Sequence, residues 1–255
     1  MQRTEYTKNH IYIKTIYTEK GDSVSLKEIL KKNNLNDEIT EAFYRYYELL
    51  TEWNEKINLT AITQEDDVAV KHFLDSLNAS ANVIKDGMKI IDVGTGAGFP
   101  GLPIKIANPG IKLTLVDSLA KRVNFLSLVV SELGLKDVEI VHSRAEDLAA
   151  DKNHREQYDV CVSRAVANLT TLSELCIPYV KKGGYFVSLK GPKAQEELEA
   201  ANKAIGLMGG SFERMENYDL SDTDLNHNIV VIKKISHTPT KYPRKAPKPA
   251  KEPLY

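Results

Sequence analysis

Lys89-Ile90-Ile91-Asp92-Val93-Gly94-Thr95-Gly96-Ala97-Gly98-Phe99-Pro100-Gly101-Leu102-Pro103 is the stretch from which the architecture follows. A short apolar run containing Ile90, Ile91 and Val93 gives way to a loop with glycine at every second position. A helix-compatible segment comes next, with prolines at its mouth. The apolar run reads as a buried strand, and residues without a Cβ let backbone approach a ligand closely. Strand, glycine turn and helix in that order make a site for a nucleotide-like cofactor.

Two registers compete for the cofactor's identity. Gly96-Ala97-Gly98-Phe99-Pro100-Gly101 matches the dinucleotide fingerprint formally. In that fingerprint, however, the first glycine follows the strand directly. The strand ends at Val93, so the count starts at Gly94, and the sixth position is then Phe99, where close helix–strand packing wants glycine. Pro100 also lacks the N–H that a pyrophosphate would use. The loop is poor for a diphosphate and good for a bulky, phosphate-free body such as S-adenosylmethionine, whose amino-acid end lies against Gly94, Gly96 and Gly98. Its ribose diol wants an acid at the end of the next strand, and Asp117 stands there. Asp117 either takes that diol or caps the following helix, a task open to Ser118. After the third strand, Ser143-Arg144-Ala145-Glu146-Asp147 either reads the adenine or starts a helix with acidic residues. Arg164 closes the fourth strand in the crevice of an open sheet, a position that favours function over a plain surface charge.

Upstream, Leu26, Ile29 and Leu30 form a short helical face. Ile39, Phe43, Tyr46, Tyr47, Leu50, Trp53 and Ile57 recur at helical spacing, which reads as core rather than as a base-stacking platform. Thr63 with Asp66 looks like the start of a third helix bearing Val70, Phe73, Leu74 and Leu77; His72 beside that face reads as structural. Downstream, strands are expected over 88–93, 112–117, 138–143, 158–163, 185–190, 211–218 and 228–234. Helices are expected over 101–107, 118–134, 168–182 and 194–207, with at most a brief one between 143 and 158. The alternation implies an α/β fold with a mostly parallel sheet, the last two strands being open to an antiparallel hairpin at one edge. The expected organisation is a loose extension over 1–22, a helical cap over 23–86, a cofactor domain over 87–236 and a basic, proline-rich tail over 237–255.

The tail carries prolines at 239, 243, 247, 249 and 253 among Lys241, Arg244, Lys245, Lys248 and Lys251. It is either a solvated end or an extended arm for nucleic-acid phosphates. The whole chain offers no such field: 34 basic residues face 35 acidic ones in 255. Cys161 and Cys176 sit in apolar segments, against a disulfide framework or a metal site. No signal-peptide core or membrane-length apolar run is present, so a soluble, cytoplasmic protein is expected.

Six motifs then occur in order: Glu52-Trp53-Asn54-Glu55-Lys56-Ile57-Asn58-Leu59-Thr60, the Asp92–Pro103 loop, Val116-Asp117-Ser118-x-x-Lys121-Arg122, Arg144-Ala145-Glu146, Ser163-Arg164-Ala165-Val166-Ala167 and Lys241-Tyr242-Pro243-Arg244-Lys245. Together they resemble the bacterial 16S rRNA guanine-N7 methyltransferases, the RsmG or GidB family, over about residues 25 to 255. The resemblance implies a class I S-adenosylmethionine-dependent methyltransferase, Rossmann-like, with a seven-stranded sheet whose last strand is antiparallel. It implies a guanine in the decoding region of 16S rRNA, free or in the small-subunit particle, as acceptor. Gly94, Phe99, Ala145, Glu146 and Arg164 match family cofactor positions. Guanine N7 carries a lone pair and no proton, so no general base is expected and positioning carries the rate. Arg164 and Lys190 are candidates for that positioning. Arg144, Lys193, Arg244 and Lys245 are candidates for RNA contact, although Lys190 and Lys193 equally suit an ordinary surface. A monomer without membrane attachment or metal is expected.

Overall fold

The computed structural model describes residues 24–79, 83–219 and 226–255. The extension expected over 1–22 lies outside them. Three helical pieces precede the sheet. α1 (Leu26–Lys32) opens on a capping box between Ser25 and Glu28, and α2 (Asp37–Ile57) opens on the Asn36 side chain. α3 (Glu65–Val68), a π-helical turn (Ala69–Leu74) and α4 (Asp75–Asn78) run on as one rod. The expected cap at Thr63 does not form. Gln64 stands at the N-cap without a side-chain bond, and the three acidic residues of the first turn serve the helix dipole instead.

Strands and helices then alternate: β1 (Lys89–Val93), α5 (Gly101–Ala107), β2 (Lys112–Asp117), α6 (Ala120–Glu132), β3 (Val138–His142), α7 (Ala145–Leu148), β4 (Tyr158–Arg164), α8 (Leu169–Cys176), β5 (Val180–Lys190), α9 (Ala194–Leu207), β6 (Gly210–Asp219) and β7 (Asn226–Lys234). A last short helix, α10 (Lys248–Lys251), forms in the tail despite its prolines. Boundaries differ from expectation at α8, β5 and α6. α8 stops at Cys176, a 3₁₀ turn with Pro178 follows, and β5 starts at Val180 rather than at 185. The Lys181-to-Gly184 part of β5 looks like a turn in sequence because its residues are exposed or glycine. α6 begins at Ala120 rather than 118, since Ser118 does not cap it and Asp117 Oδ1 accepts the Leu119 N–H at 2.9 Å.

The strand order is β3-β2-β1-β4-β5-β7-β6. β1 to β5 run parallel, while β7 is antiparallel to both β5 and β6, which gives the expected hairpin at one edge. The order reverses at β1, whose neighbours are β2 and β4, so the crevice for a ligand lies beyond the carboxyl ends of these strands. One face of the sheet packs Ile90, Val160 and Val187 with Leu26, Phe43, Phe73, Leu102 and Phe125 in one apolar cluster. The first helices are therefore a layer of the same core. Phe43 and Tyr46 are wholly buried, as the helical spacing required. The other face packs Ile91, Cys161, Phe186 and Ile232 with α8, α9 and Tyr242 of the tail.

Candidate cofactor site

β1 delivers the glycine loop onto the end of β2, where the N–H groups of Gly94 and Thr95 both donate to the Val116 carbonyl. Asp92 is buried beneath the turn; its Oδ2 accepts from Thr95 Oγ1 at 2.7 Å and from the Gly101 N–H at 2.8 Å. Burial raises its pKa to about 6 against the opposing pull of those two bonds. Gly94 and Gly96 adopt left-handed φ of 72° and 62°. A Cβ on Gly94 would stand 2.6 Å from Val166, whereas one on Gly96 would meet nothing within 4 Å. The close helix–strand packing that Phe99 cannot provide is made by Gly101, whose Cβ would lie 2.8 Å from both Asp92 Oδ2 and Leu115.

Beyond this turn lies a cavity of about 440 Å³, within the range of small-molecule sites. Of the expected cofactor residues, Gly94, Gly96, Phe99 and Asp117 line one side, and Ala145, Glu146 and Arg164 line the rest. Gly98 is not in its wall. A Cβ there would press on Leu102 and on the Tyr46 hydroxyl, so its bareness serves packing. Asp117 is 3% exposed and accepts from the Gly96 N–H at 3.0 Å, the Leu119 N–H and Arg122 at 3.4 Å. A carboxylate has about four lone-pair sites, which leaves capacity for a hydroxyl.

Among the wall residues outside the expected cofactor set are Thr60, His72 and Arg122. Thr60 and Arg122 lay inside motifs already noted; His72 gave no signal beyond its neighbouring apolar face. Its ring stacks on Phe99 at 4.4 Å, and the Arg164 guanidinium lies 5.0 Å over the other partner of that stack, Phe99. Burial, followed by the Arg164 charge, lowers the His72 pKa to about 4.

The expected RNA contacts divide. Arg144 and Lys193 are exposed at the N-cap positions of α7 and α9, and Lys245 is exposed on the tail. Lys190 is not available in this way: it is 7% exposed, pairs with Glu197 at 2.8 Å and donates to the Ala167 carbonyl. Arg244 is likewise committed, its Nε and Nη2 donating to Glu174, whose side chain is 1% exposed. A buried acid left alone is costly, which explains why the tail folds back to supply its partner.

The family model described as GidB: rRNA small subunit methyltransferase G matches residues 39–225. The chain belongs to the GidB family. A ribosomal RNA small subunit methyltransferase G from Alkaliphilus oremlandii (strain OhILAs) is 54% identical over 238 residues, 91% of this chain and all of that protein. One from Clostridium botulinum (strain Loch Maree / Type A3) is 51% identical over 222 residues, 87% of this chain and 93% of the relative. Among solved structures, the [4+2]-cyclase SpnF aligns with a TM-score of 0.52 at 14% identity, covering 78% of this chain and 97% of its own. A SAM-dependent O-methyltransferase from Thermotoga maritima aligns at 0.50 and 16%, covering 74% and 73%. These two likenesses establish the class I methyltransferase fold. The GidB chain is a methyltransferase with S-adenosylmethionine as donor. Its wall suits that donor: open space at Gly96, a carboxylate with spare capacity at Asp117 and no phosphate cradle. Among the described residues no three His, Cys, Asp or Glu side chains gather to hold a metal, and no helix is long and apolar enough to cross a membrane.

Proposed function

We propose that this chain methylates N7 of one guanine in the decoding region of 16S rRNA, acting as a cytoplasmic monomer on the rRNA or the small-subunit particle. The observation that favours N7 is the state of His72. His72 Nδ1 lies between the Arg164 Nη2 at 3.1 Å and the Lys71 carbonyl at 3.2 Å, and Nε2 is 2.8 Å from Thr60 Oγ1. Both ring nitrogens are occupied, and the ring is neutral. The wall therefore offers no imidazole to take a proton, and an unprotonated N7 needs none.

Bound S-adenosylmethionine supplies a methyl group made electrophilic by its sulfonium. The chain's part is positional. The Gly94–Gly96 turn admits the amino-acid end, Asp117 accepts from the ribose, and Ala145 and Glu146 face the adenine. Phe99, His72 and Arg164 form a rigid stacked wall beside the reacting groups. Of the expected RNA contacts, Arg144, Lys193 and Lys245 are exposed and open to RNA phosphates; such contacts weaken steeply with salt.

The test is transfer of labelled methyl from the donor to 30S particles of a strain lacking this gene, followed by chemical cleavage at 7-methylguanine. One new cleavage in the decoding region is expected. Label on another atom, or on no single guanine, would refute the reading.

A further inference from the structure

Arg164 enters the cavity from β4, yet what holds its guanidinium comes from the π-helical turn and α4. Asp75, 4% exposed at the start of α4, accepts from Arg164 Nη1 through Oδ2 at 2.8 Å. Its other oxygen accepts the Tyr218 hydroxyl at 2.6 Å and faces His227 Nδ1 at 3.2 Å. Tyr218 and His227 are directly opposed on β6 and β7. Arg164 Nη1 also donates to the Lys71 carbonyl at 3.0 Å, and Nη2 faces His72 Nδ1 at 3.1 Å. Both terminal nitrogens of the guanidinium are thus engaged.

A free arginine spreads over many rotamers, and its charge repels a sulfonium placed in the same cavity. Asp75 removes both obstacles. It locks one orientation, on the face of Phe99, and cancels the charge. The carboxylate can do this only if its far oxygen is also satisfied, which is what the edge hairpin supplies.

We propose that Asp75 is a positioning residue for Arg164, held in place from its far side by Tyr218 and His227, so that the β6–β7 edge hairpin sets the geometry of the methyl-donor cavity. This rests on the reading that Arg164 faces the donor. No part of the family motifs noted above includes Asp75, Tyr218 or His227.

The test is calorimetric titration of the full chain with S-adenosylmethionine and with uncharged S-adenosylhomocysteine, alongside imidazole nitrogen NMR of His72. Asp75→Asn is expected to weaken S-adenosylmethionine about tenfold or more. S-adenosylhomocysteine should lose less, since it carries no sulfonium. Tyr218→Phe should weaken the donor about threefold, the worth of one hydrogen bond. In both variants the His72 nitrogen signals should shift as the Arg164 guanidinium moves against Nδ1, a change that a merely structural residue would not produce. In an Arg164→Lys background, Asp75→Asn should add less than about twofold, because the two act as a unit. Unchanged affinities with unchanged His72 signals, or fully additive losses, would overturn the proposal. Should Asp75→Asn fail to fold, Tyr218→Phe and His227→Gln decide the question from the hairpin. Failure of the wild-type chain itself to bind the donor would refute the site, whereas equal binding by wild type and variants would refute only the positioning role.

Discussion

His72 shows how one side chain's chemistry is set from far along the chain. Its pKa of about 4 reflects burial first and the Arg164 charge second, opposed by the Lys71 carbonyl, Asp75 and Asp67. The sign follows from proton counting. Between pH 6.5 and 4 the unfolded chain binds a proton at this position that the native ring refuses. The stability from this group is therefore complete above the unfolded value and declines by about 3 kcal/mol as pH falls to 4. Asp92, raised to about 6, works the other way over nearly the same window, gaining native stability as it takes its proton. These two contributions oppose each other in the wild type, so only a difference exposes His72. Measured by urea unfolding, His72→Gln should gain on the wild type by up to about 3 kcal/mol between pH 6.5 and 4. A constant gap would mean that the ring titrates normally. None of this was legible in the sequence: a histidine beside a helical stripe looks the same whether or not an arginine 92 positions away lies against it.

The glycine loop, by contrast, was legible almost in full, because its geometry is local. The end of β1, the left-handed turn and the start of α5 follow from Val93, Gly94 and Gly96 alone. What failed was the assignment of the packing glycine. Its identity depends on Leu115 of a neighbouring strand, and it proved to be Gly101. Gly101→Ala should push α5 away from β1 and cost about 1–3 kcal/mol by overpacking. Thermal unfolding checks this, and a change below about 0.5 kcal/mol would show that the helix gives way freely. The misplaced start of β5 has a related cause. Periodicity reports burial, and the first turns of that strand bury almost nothing on one side. The π-helical turn carried no signal at all.

Across the molecule, the tail changes meaning most. Prolines and lysines suggested a loose basic arm, and composition could not reveal the buried acid that it answers. Glu174 accepts from Arg244, while Arg155 donates to the carbonyls of Thr238, Pro239 and Tyr242, and Glu156 accepts the Thr238 N–H. The tail is a strap. Removing residues beyond Ser236 strands Glu174 and empties the Tyr242 position, so it should cost about 3–5 kcal/mol of stability. A truncated chain with unchanged urea midpoint would refute that. Any loss of RNA binding on truncation is then confounded with unfolding, and Lys245→Glu is the variant that isolates the charge.

The sheet order carries a further consequence for how the chain is born. β7 lies between β5 and β6, yet β6 is synthesised first. When Gly210–Asp219 leaves the ribosome, its only partner does not yet exist, and β5 presents an open edge that β6 does not pair with. For that interval the nascent chain carries two unpaired edges and the exposed Phe212, the features that invite mispairing. Closure waits for Asn226–Lys234, and the strap can lock only after that. The native sheet is thus sealed by β7, its last strand in the chain, so a message cut short before Asn226 releases a chain whose cofactor loop is made but whose sheet is still unsealed.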